Sequence, residues 1–198
     1  KEKLCSIGKL EFKEDEKDLY VKGYVATSHP DRAVSIDKDL GIQYDGDIIP
    51  KETLQKIADS INSRNLPQAG AVSERHDWIY ENDPSLPLAG VTSGPAKVVQ
   101  LEDGEYAVES EVLVVKTNPR YDEVKYNIEN GIYPGFSIEY ETNYYSIIEK
   151  EGKLFRHLDD ISMEGFGFAS RRLIANPSAS INEKNYKEIN DTEIKMMH

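Results

Sequence analysis

The sequence contains a single cysteine, Cys5, among its 198 residues. One thiol cannot form a disulfide within the chain, so the fold does not depend on an oxidising compartment. Basic residues are also scarce: 24 Lys and Arg are outnumbered by 36 Asp and Glu, which leaves a net charge of -12. Affinity for a phosphate backbone requires clustered Lys and Arg. The composition therefore argues against nucleic acid as a partner.

Long apolar runs and metal-binding patterns are missing as well. No stretch approaches the roughly 18 consecutive apolar residues of a membrane-spanning helix, and no basic segment followed by an apolar one resembles a leader. The aspartates of residues 31–47 lack the alternate-position ligands and the closing Glu of a calcium loop. We therefore expect a soluble protein without a metal site, and the length suits a single domain with or without tails.

Two segments carry helix signals. Leu54, Ile57 and Ile61 recur at helical spacing after Pro50, which predicts an amphipathic helix over residues 50–62. Residues 118–131 begin with Asn-Pro, typical of an N-cap followed by the first helical position, and end in Gly131, a common residue just past a helix. The second segment therefore predicts another helix.

The remaining apolar patterns are typical of strands. They cover residues 4–12, 19–26, 69–76, 88–101, 106–115, 135–148 and 154–169, with turns at 102–105 and 151–152. This succession predicts the α+β class, as a mostly antiparallel β-barrel of six to eight strands surrounded by two or three helices. We expect one domain over residues 1–181, followed by a polar tail or linker at 182–198.

Ser137 is the candidate nucleophile. It lies in an extended segment directly after Pro134 and Gly135, and strand parity puts it on the face opposite Phe136. A serine facing solvent fits the same pattern. Glu139 occupies the place of the second glycine in Gly-x-Ser-x-Gly, which excludes an α/β-hydrolase. Glu139 lies on the same face of the strand as Ser137. It either adjusts the reactivity of this site or indicates that the catalytic activity has been lost.

A catalytic serine needs a general base, and histidine is the usual one because its ordinary pKa lies near 6.5. The sequence has four histidines. His76, at the end of a predicted strand, is the first candidate, and His157, at the start of the last strand, is the second. His29 lies in a polar loop and His198 in the tail. Each could equally be a surface histidine.

Short segments in a fixed order carry a family resemblance. Gly-Phe-Ser-Ile at residues 135–138, after a helix ending in Gly131, resembles the Gly-Leu-Ser-Ile strand of the tailed-phage prohead (head maturation) proteases, whose fold the herpesvirus assemblins share. Residues 23–26 and 45–49 are similar to that family's opening segments. Residues 74–77 are similar to its catalytic His-Asp segment, and residues 86–91 to the strand that follows. Residues 161–168 are similar to its closing strand, and residues 175–181 to the family's ending. The resemblance covers residues 20–181.

The resemblance implies roles for individual residues. Ser137 becomes the nucleophile and His76 its base. The third member is a residue of the last strand, for which Glu164 is favoured over Asp160, with His157 last. Arg171 and Arg172 are similar to the paired arginines that stabilise the oxyanion in assemblins, although a surface pair is an equal alternative.

The function implied is that of a serine endopeptidase that cleaves scaffold and capsid-precursor segments, and itself, during viral head maturation. No metal or organic cofactor is expected. The implied partners are the capsid precursor and the scaffolding protein, inside an assembling procapsid in the host cytoplasm, with self-association left open. Two alternatives stand beside it: an inactive scaffold module with the same fold, and an acidic binding module unrelated to proteases.

Overall fold

The computed structural model describes residues 17–64, 70–80, 88–171, 176 and 179–187, with the backbone alone at 79–80 and 181–187. Over these ranges the chain forms strands and helices in mixed order, so the predicted α+β class is confirmed. The elements are β1 (Asp18–Thr27), β2 (Ser35–Asp37), β3 (Ile42–Tyr44), β4 (Gly46–Ile48), α1 (Lys51–Ser63), β5 (Ala71–Glu74), α2 (Asp77–Tyr80), β6 (Gly90–Thr92), β7 (Lys97–Gln100), β8 (Tyr106–Val114), α3 (Tyr121–Glu129), β9 (Gly135–Lys150), β10 (Lys153–Ala169) and β11 (Ile181–Lys187).

Nine strands form one curled sheet in the order β11-β1-β8-β6-β5-β10-β4, with β7 added to β8 and β9 added to β10. The predicted closed, mostly antiparallel barrel is wrong, because the sheet is mixed and the described strands form only a half-barrel. The physical reason lies in β4 and β5, which both run parallel to β10. Helix α1 connects these two strands, and a helical crossover returns the chain in its original direction.

Helix α1 confirms the prediction for residues 50–62. Its apolar face is fully buried at Leu54, Ile57 and Ile61, and it packs against β7, β8 and β10. The Thr53 hydroxyl donates to the Leu158 carbonyl oxygen at 2.8 Å, which ties the first turn of the helix to β10. The helix therefore covers one side of the sheet, as its hydrophobic spacing indicates.

Helix α3 confirms the second helical segment but begins later than predicted. Arg120, rather than Asn118, is its N-cap residue. The Asn118 carboxamide oxygen instead accepts the Arg120 backbone N–H at 2.8 Å, so it stabilises the turn before the helix. Gly131 follows the helix with a φ of 68°, as the glycine signal predicts. No helix within the described ranges has the length and apolar character needed to cross a bilayer.

Three predictions of local structure need correction or lie outside the described residues. The segment 88–101 forms two strands, β6 and β7, because the chain bends at Gly94, where φ is 74°. Residues 182–187, expected to begin a polar tail, belong to β11, which pairs with β1. The predicted strand over residues 4–12, and the end of the tail with His198, lie outside the described residues.

Strand β10 is the element that positions the candidate site. One of its edges pairs antiparallel with β9 over almost its whole length, and the other pairs with β4 and then with β5. Beneath the β5 end, Phe136 of β9 packs on Phe166 and Phe168 of β10 with ring centroids 5.5 and 5.3 Å apart. This buried aromatic cluster fixes the pairing register, since a slip of one residue would move each ring to the opposite face.

At the β4 end, a buried ion pair joins β10 to its neighbour. The guanidinium of Arg156 contacts both carboxylate oxygens of Asp47 at 2.7 and 2.6 Å, and the Asp47 side chain is fully buried. The Tyr140 hydroxyl donates to the same carboxylate at 3.0 Å. Asp47 is therefore a desolvated charge that depends on Arg156.

We expect Arg156→Met to lower the free energy of unfolding by about 3–5 kcal/mol, because it leaves a buried carboxylate without its counter-charge. The matched control is Lys56→Met, which removes an exposed ion pair with Asp160 and should cost much less stability than Arg156→Met, because water screens the pair. Urea unfolding of both variants measures the difference. Equal losses would contradict the assigned burial of Asp47.

Candidate active site

Ser137 lies in one row with residues of two other strands. It pairs with Gly167 of β10, and Gly167 pairs with Ser73 of β5. Neighbouring strands are about 4.8 Å apart, so Ser73 and Ser137 are separated by roughly 10 Å across the sheet. The fold thus brings the predicted nucleophile, at residue 137, into the neighbourhood of the segment that carries His76.

His76 contacts a carboxylate on the same strand as Ser137. Its Nδ1 lies 2.7 Å from Oε1 of Glu139, and the two side chains are only 9% and 1% exposed. Glu139 follows Ser137 by two residues in an unbroken stretch of β9, so both side chains lie on the same face of the strand. The imidazole therefore contacts the residue that lies one strand repeat, roughly 7 Å, along β9 from Ser137.

Glycines on β10 let Glu139 reach across that strand. Gly165 lies opposite Glu139, and Gly167 lies opposite both Ser137 and Ser73. The Ser73 hydroxyl donates to Glu139 Oε1 at 2.7 Å, over the strand that separates them. A Cβ on Gly167 would lie 2.8 Å from the Ser73 carbonyl oxygen and closer still to the Ser73 hydroxyl. Any side chain at this position would obstruct the contact.

His76 itself adopts a backbone conformation that is unusual for its residue type. Arg75 and His76 both have a φ of 57°, in the left-handed region that favours glycine. Such conformations cost about 1–3 kcal/mol per residue and concentrate at functional sites. The Arg75 backbone N–H donates to the Phe168 carbonyl oxygen at 2.8 Å, which fixes the turn to β10. His76 therefore lies in a tight turn just after β5, rather than in the strand itself.

A buried charge network holds this turn in place. Arg120 contacts the Glu74 carboxylate at 3.3 Å and also the Asp77 carboxylate, on either side of the turn. The Tyr133 hydroxyl donates to Glu74 as well. Burial raises the pKa of the Glu74 carboxyl, and burial together with the Glu74 contact raises the pKa of the Tyr133 hydroxyl. The network compensates for the strained backbone of the turn.

The acids predicted for the last strand are not the ones that contact His76. Glu164 is the extra residue of a β-bulge in β10, between Met163 and Gly165, and no hydrogen bond joins it to His76 in the described part of the chain. Because the bulge adds a residue to β10, parity along the strand misassigns its position. Glu139, rather than Glu164, therefore contacts His76, and the role of Glu164 as the third catalytic member stays a prediction.

Asp160 and His157 lie farther along β10 in contacts of their own. Asp160 pairs with Lys56 at 2.7 Å, and this cation lowers the pKa of its carboxyl. His157 Nδ1 lies 2.7 Å from Asp159. At about 3.3 Å per residue, these positions are roughly 23 and 33 Å along the strand from Gly167. The structure therefore does not bring either residue to His76.

The remaining candidates are placed as follows. Arg171 is exposed and follows β10 at the edge where Ala169 pairs with Gly135, near the start of β9. Arg172 lies outside the described residues. His29 Nε2 contacts Asp103 at 2.6 Å, in a separate surface cluster. Of the predicted oxyanion-stabilising pair, only Arg171 can thus be assigned to the Ser137 end of the sheet.

A small cavity of about 50 Å³ lies beside Ser137. It is bounded by Val25 and Ala26 of β1 and by Phe136 and Ile138 of β9, so its walls are mainly apolar. No cluster of three or more His, Cys, Asp or Glu side chains in the described ranges could hold a metal ion. Because Phe136 and Ile138 lie on the face of β9 opposite the Ser137 and Glu139 side chains, the cavity lies mainly on the core side of the strand, away from the imidazole and the carboxylate.

Comparison of the chain with protein-family models, with curated proteins and with solved structures finds no match. The roles of the site residues therefore depend on their geometry and on the motif resemblance described above.

The sequence patterns did not predict the contacts of two residues at this site, Glu139 and Ser73. Glu139 was placed on the face of Ser137, but nothing in the local pattern links it to His76, which is 63 residues away. Ser73 lies in a short apolar run and has no motif of its own. The signal that points to both is the pair of glycines in β10, since glycine inside a strand often marks a close approach of other groups.

We expect Gly167→Ala to lower the free energy of unfolding by about 1–3 kcal/mol, because the new methyl group overlaps Ser73. Ser162→Ala, at an exposed position of the same strand, is the control: it removes only an exposed hydrogen bond from Asn143, so it should change stability far less than Gly167→Ala does. The midpoints of urea unfolding provide the measurement. A Gly167→Ala protein as stable as the control would refute the close approach of β5 to β10.

Proposed function

We propose that this protein is a serine endopeptidase in which Ser137 is the nucleophile, His76 the general base and Glu139 the orienting acid. The observation that carries the proposal is the buried contact of 2.7 Å between His76 Nδ1 and Glu139, on the Ser137 face of β9. A carboxylate at Nδ1 keeps that nitrogen protonated and leaves Nε2 to take a proton, as in serine proteases.

The reaction follows from these roles. His76 Nε2 accepts the Ser137 hydroxyl proton as the serine oxygen attacks the scissile carbonyl carbon. Protonated His76 then gives this proton to the leaving amine, and the peptide bond breaks. Water attacks the acyl-enzyme while His76 takes its proton, and the proton returns to Ser137 when the ester bond breaks. Glu139 stabilises the positive charge on His76 during formation of the acyl-enzyme and during its hydrolysis. Arg171, which follows β10 near the start of β9, is the residue proposed to stabilise the oxyanion.

The substrate class rests on the resemblance to the prohead proteases. It points to scaffold and capsid-precursor segments, and to the chain itself, inside an assembling procapsid in the host cytoplasm. The acidic balance of the chain supports a protein rather than a nucleic-acid partner.

A fluorophosphonate probe, which reacts with activated serines, tests the proposal. We expect labelling of the wild-type protein at one serine, and loss of labelling in Ser137→Ala, because the nucleophile is removed. Ser162→Ala is the matched control and should label as the wild type does. Processing of a co-expressed capsid precursor should likewise stop in Ser137→Ala. Unchanged processing in that variant would refute the assignment of Ser137.

A second pair of variants tests the orienting acid. Glu139→Gln should slow labelling by about 10⁴-fold, the size of effect known when the acid of a serine-protease triad is neutralised. Glu164→Gln keeps the His76 contact intact and should label at the wild-type rate. If the Glu164 variant is the slow one, the carboxylate of β10 rather than that of β9 supports His76.

An inactive scaffold module is the second candidate. It is favoured by the burial of His76, which is only 7% exposed, because each member of a buried histidine–glutamate pair satisfies the other whether or not the pair takes part in catalysis, and removing one partner is destabilising. This candidate predicts no labelling of the wild-type protein and a loss of stability in Glu139→Gln. The two candidates thus differ in the first experiment.

A further inference from the structure

Ser73 is a buried polar residue that the proposed reaction does not use. Its side chain lies on β5 and is only 1% exposed, yet its hydroxyl is not left without a partner. The hydroxyl donates to Glu139 Oε1 at 2.7 Å, and this is the same oxygen that His76 Nδ1 contacts at 2.7 Å. One carboxylate oxygen therefore receives both donors.

The contact crosses a strand, which is uncommon for short side chains. Ser73 and Glu139 lie on β5 and β9, and β10 separates them. Serine has the shortest hydroxyl side chain, so the bond forms only because Gly167 presents no side chain between the two strands. The arrangement requires three residues on three strands, Ser73, Gly167 and Glu139, to match in register.

The bond limits how the Glu139 carboxylate can turn. A glutamate side chain has three rotatable bonds and loses considerable rotamer freedom when it is held in one orientation. Two contacts to Oε1, from Ser73 and from His76, restrict rotation of the carboxylate, so the oxygen stays directed at the imidazole. The donors also offset the cost of burying a carboxylate away from water.

We propose that Ser73 is a positioning residue, which holds Glu139 so that Glu139 in turn orients His76. Ser73 acts through Glu139 and contacts no reacting atom, so it is not a catalytic residue. This role rests on the proposed serine endopeptidase function. The His76–Glu139 contact that it supports is nevertheless measurable without turnover.

The chain offers a matched control for a serine deletion. Ser110 on β8 is also 1% exposed, but within the described residues its hydroxyl has no hydrogen-bond partner. Ser73→Ala and Ser110→Ala therefore remove the same atom from equally buried positions. Only the first removes a hydrogen bond to the site, so a difference between them reports that bond rather than general packing.

The first measurement is the proton resonance of the His76 Nδ1–H, which lies far downfield of the backbone amides when it is bonded to a carboxylate. Loss of the signal in His76→Gln assigns it. We expect Ser73→Ala to shift or broaden this signal and Ser110→Ala to leave it in place. An unchanged signal in a folded Ser73→Ala protein would overturn the proposal.

The second measurement is the rate of fluorophosphonate labelling. Ser73→Ala should slow labelling about 10-fold, a change matching one hydrogen bond to a charged group, while Ser110→Ala labels at the wild-type rate. If the wild-type protein is not labelled at all, the endopeptidase function fails, and the resonance alone decides the role of Ser73. Labelling of Ser73→Ala at the wild-type rate would show that Glu139 is held without it.

Discussion

Burial of the Glu139 carboxylate is the interaction on which the candidate site depends. A carboxylate in this position is stable only if donors replace the water it loses, and two donors reach it from the β5 side, Ser73 and His76. Both must cross β10. The absence of a side chain at Gly167 makes the crossing possible, so the chemistry of the site depends on packing between three strands as much as on the reactive residues themselves.

The turn that carries His76 shows how a strained segment is maintained. Two consecutive residues other than glycine are held at positive φ, a conformation that the turn would not keep in isolation. Arg120, at the start of α3, binds acids on both sides of the turn, and the backbone bond from Arg75 to Phe168 joins it to β10. The aromatic cluster beneath β10 sets the register of that strand. Core packing, the charge network and the position of the imidazole are therefore one connected system.

Local patterns predicted most of the elements. Both long helices, the β9–β10 hairpin and the turn before β8 were predicted because their signals involve residues close in sequence: hydrophobic spacing, Gly131, and the Glu-Gly turn at 151–152. The prediction of a closed antiparallel barrel was wrong, because strand order and direction depend on how α1 returns the chain to β10. The catalytic roles of Ser137 and His76 remain predictions, although the fold places their segments on the two strands that flank β10.

The amino-acid sequence by itself determined the α+β class, the acidic net charge, the presence of the two long helices, and the face of β9 on which Ser137 and Glu139 lie, because these properties follow from composition and from the period of side chains along the backbone. Only the tertiary structure decided which acid contacts His76. A β-bulge moves Glu164 out of the position that parity predicts, and the pairing of β5 with β10 brings His76 to Glu139 across 63 residues of chain. Such a partnership depends on strand register, which no local pattern specifies.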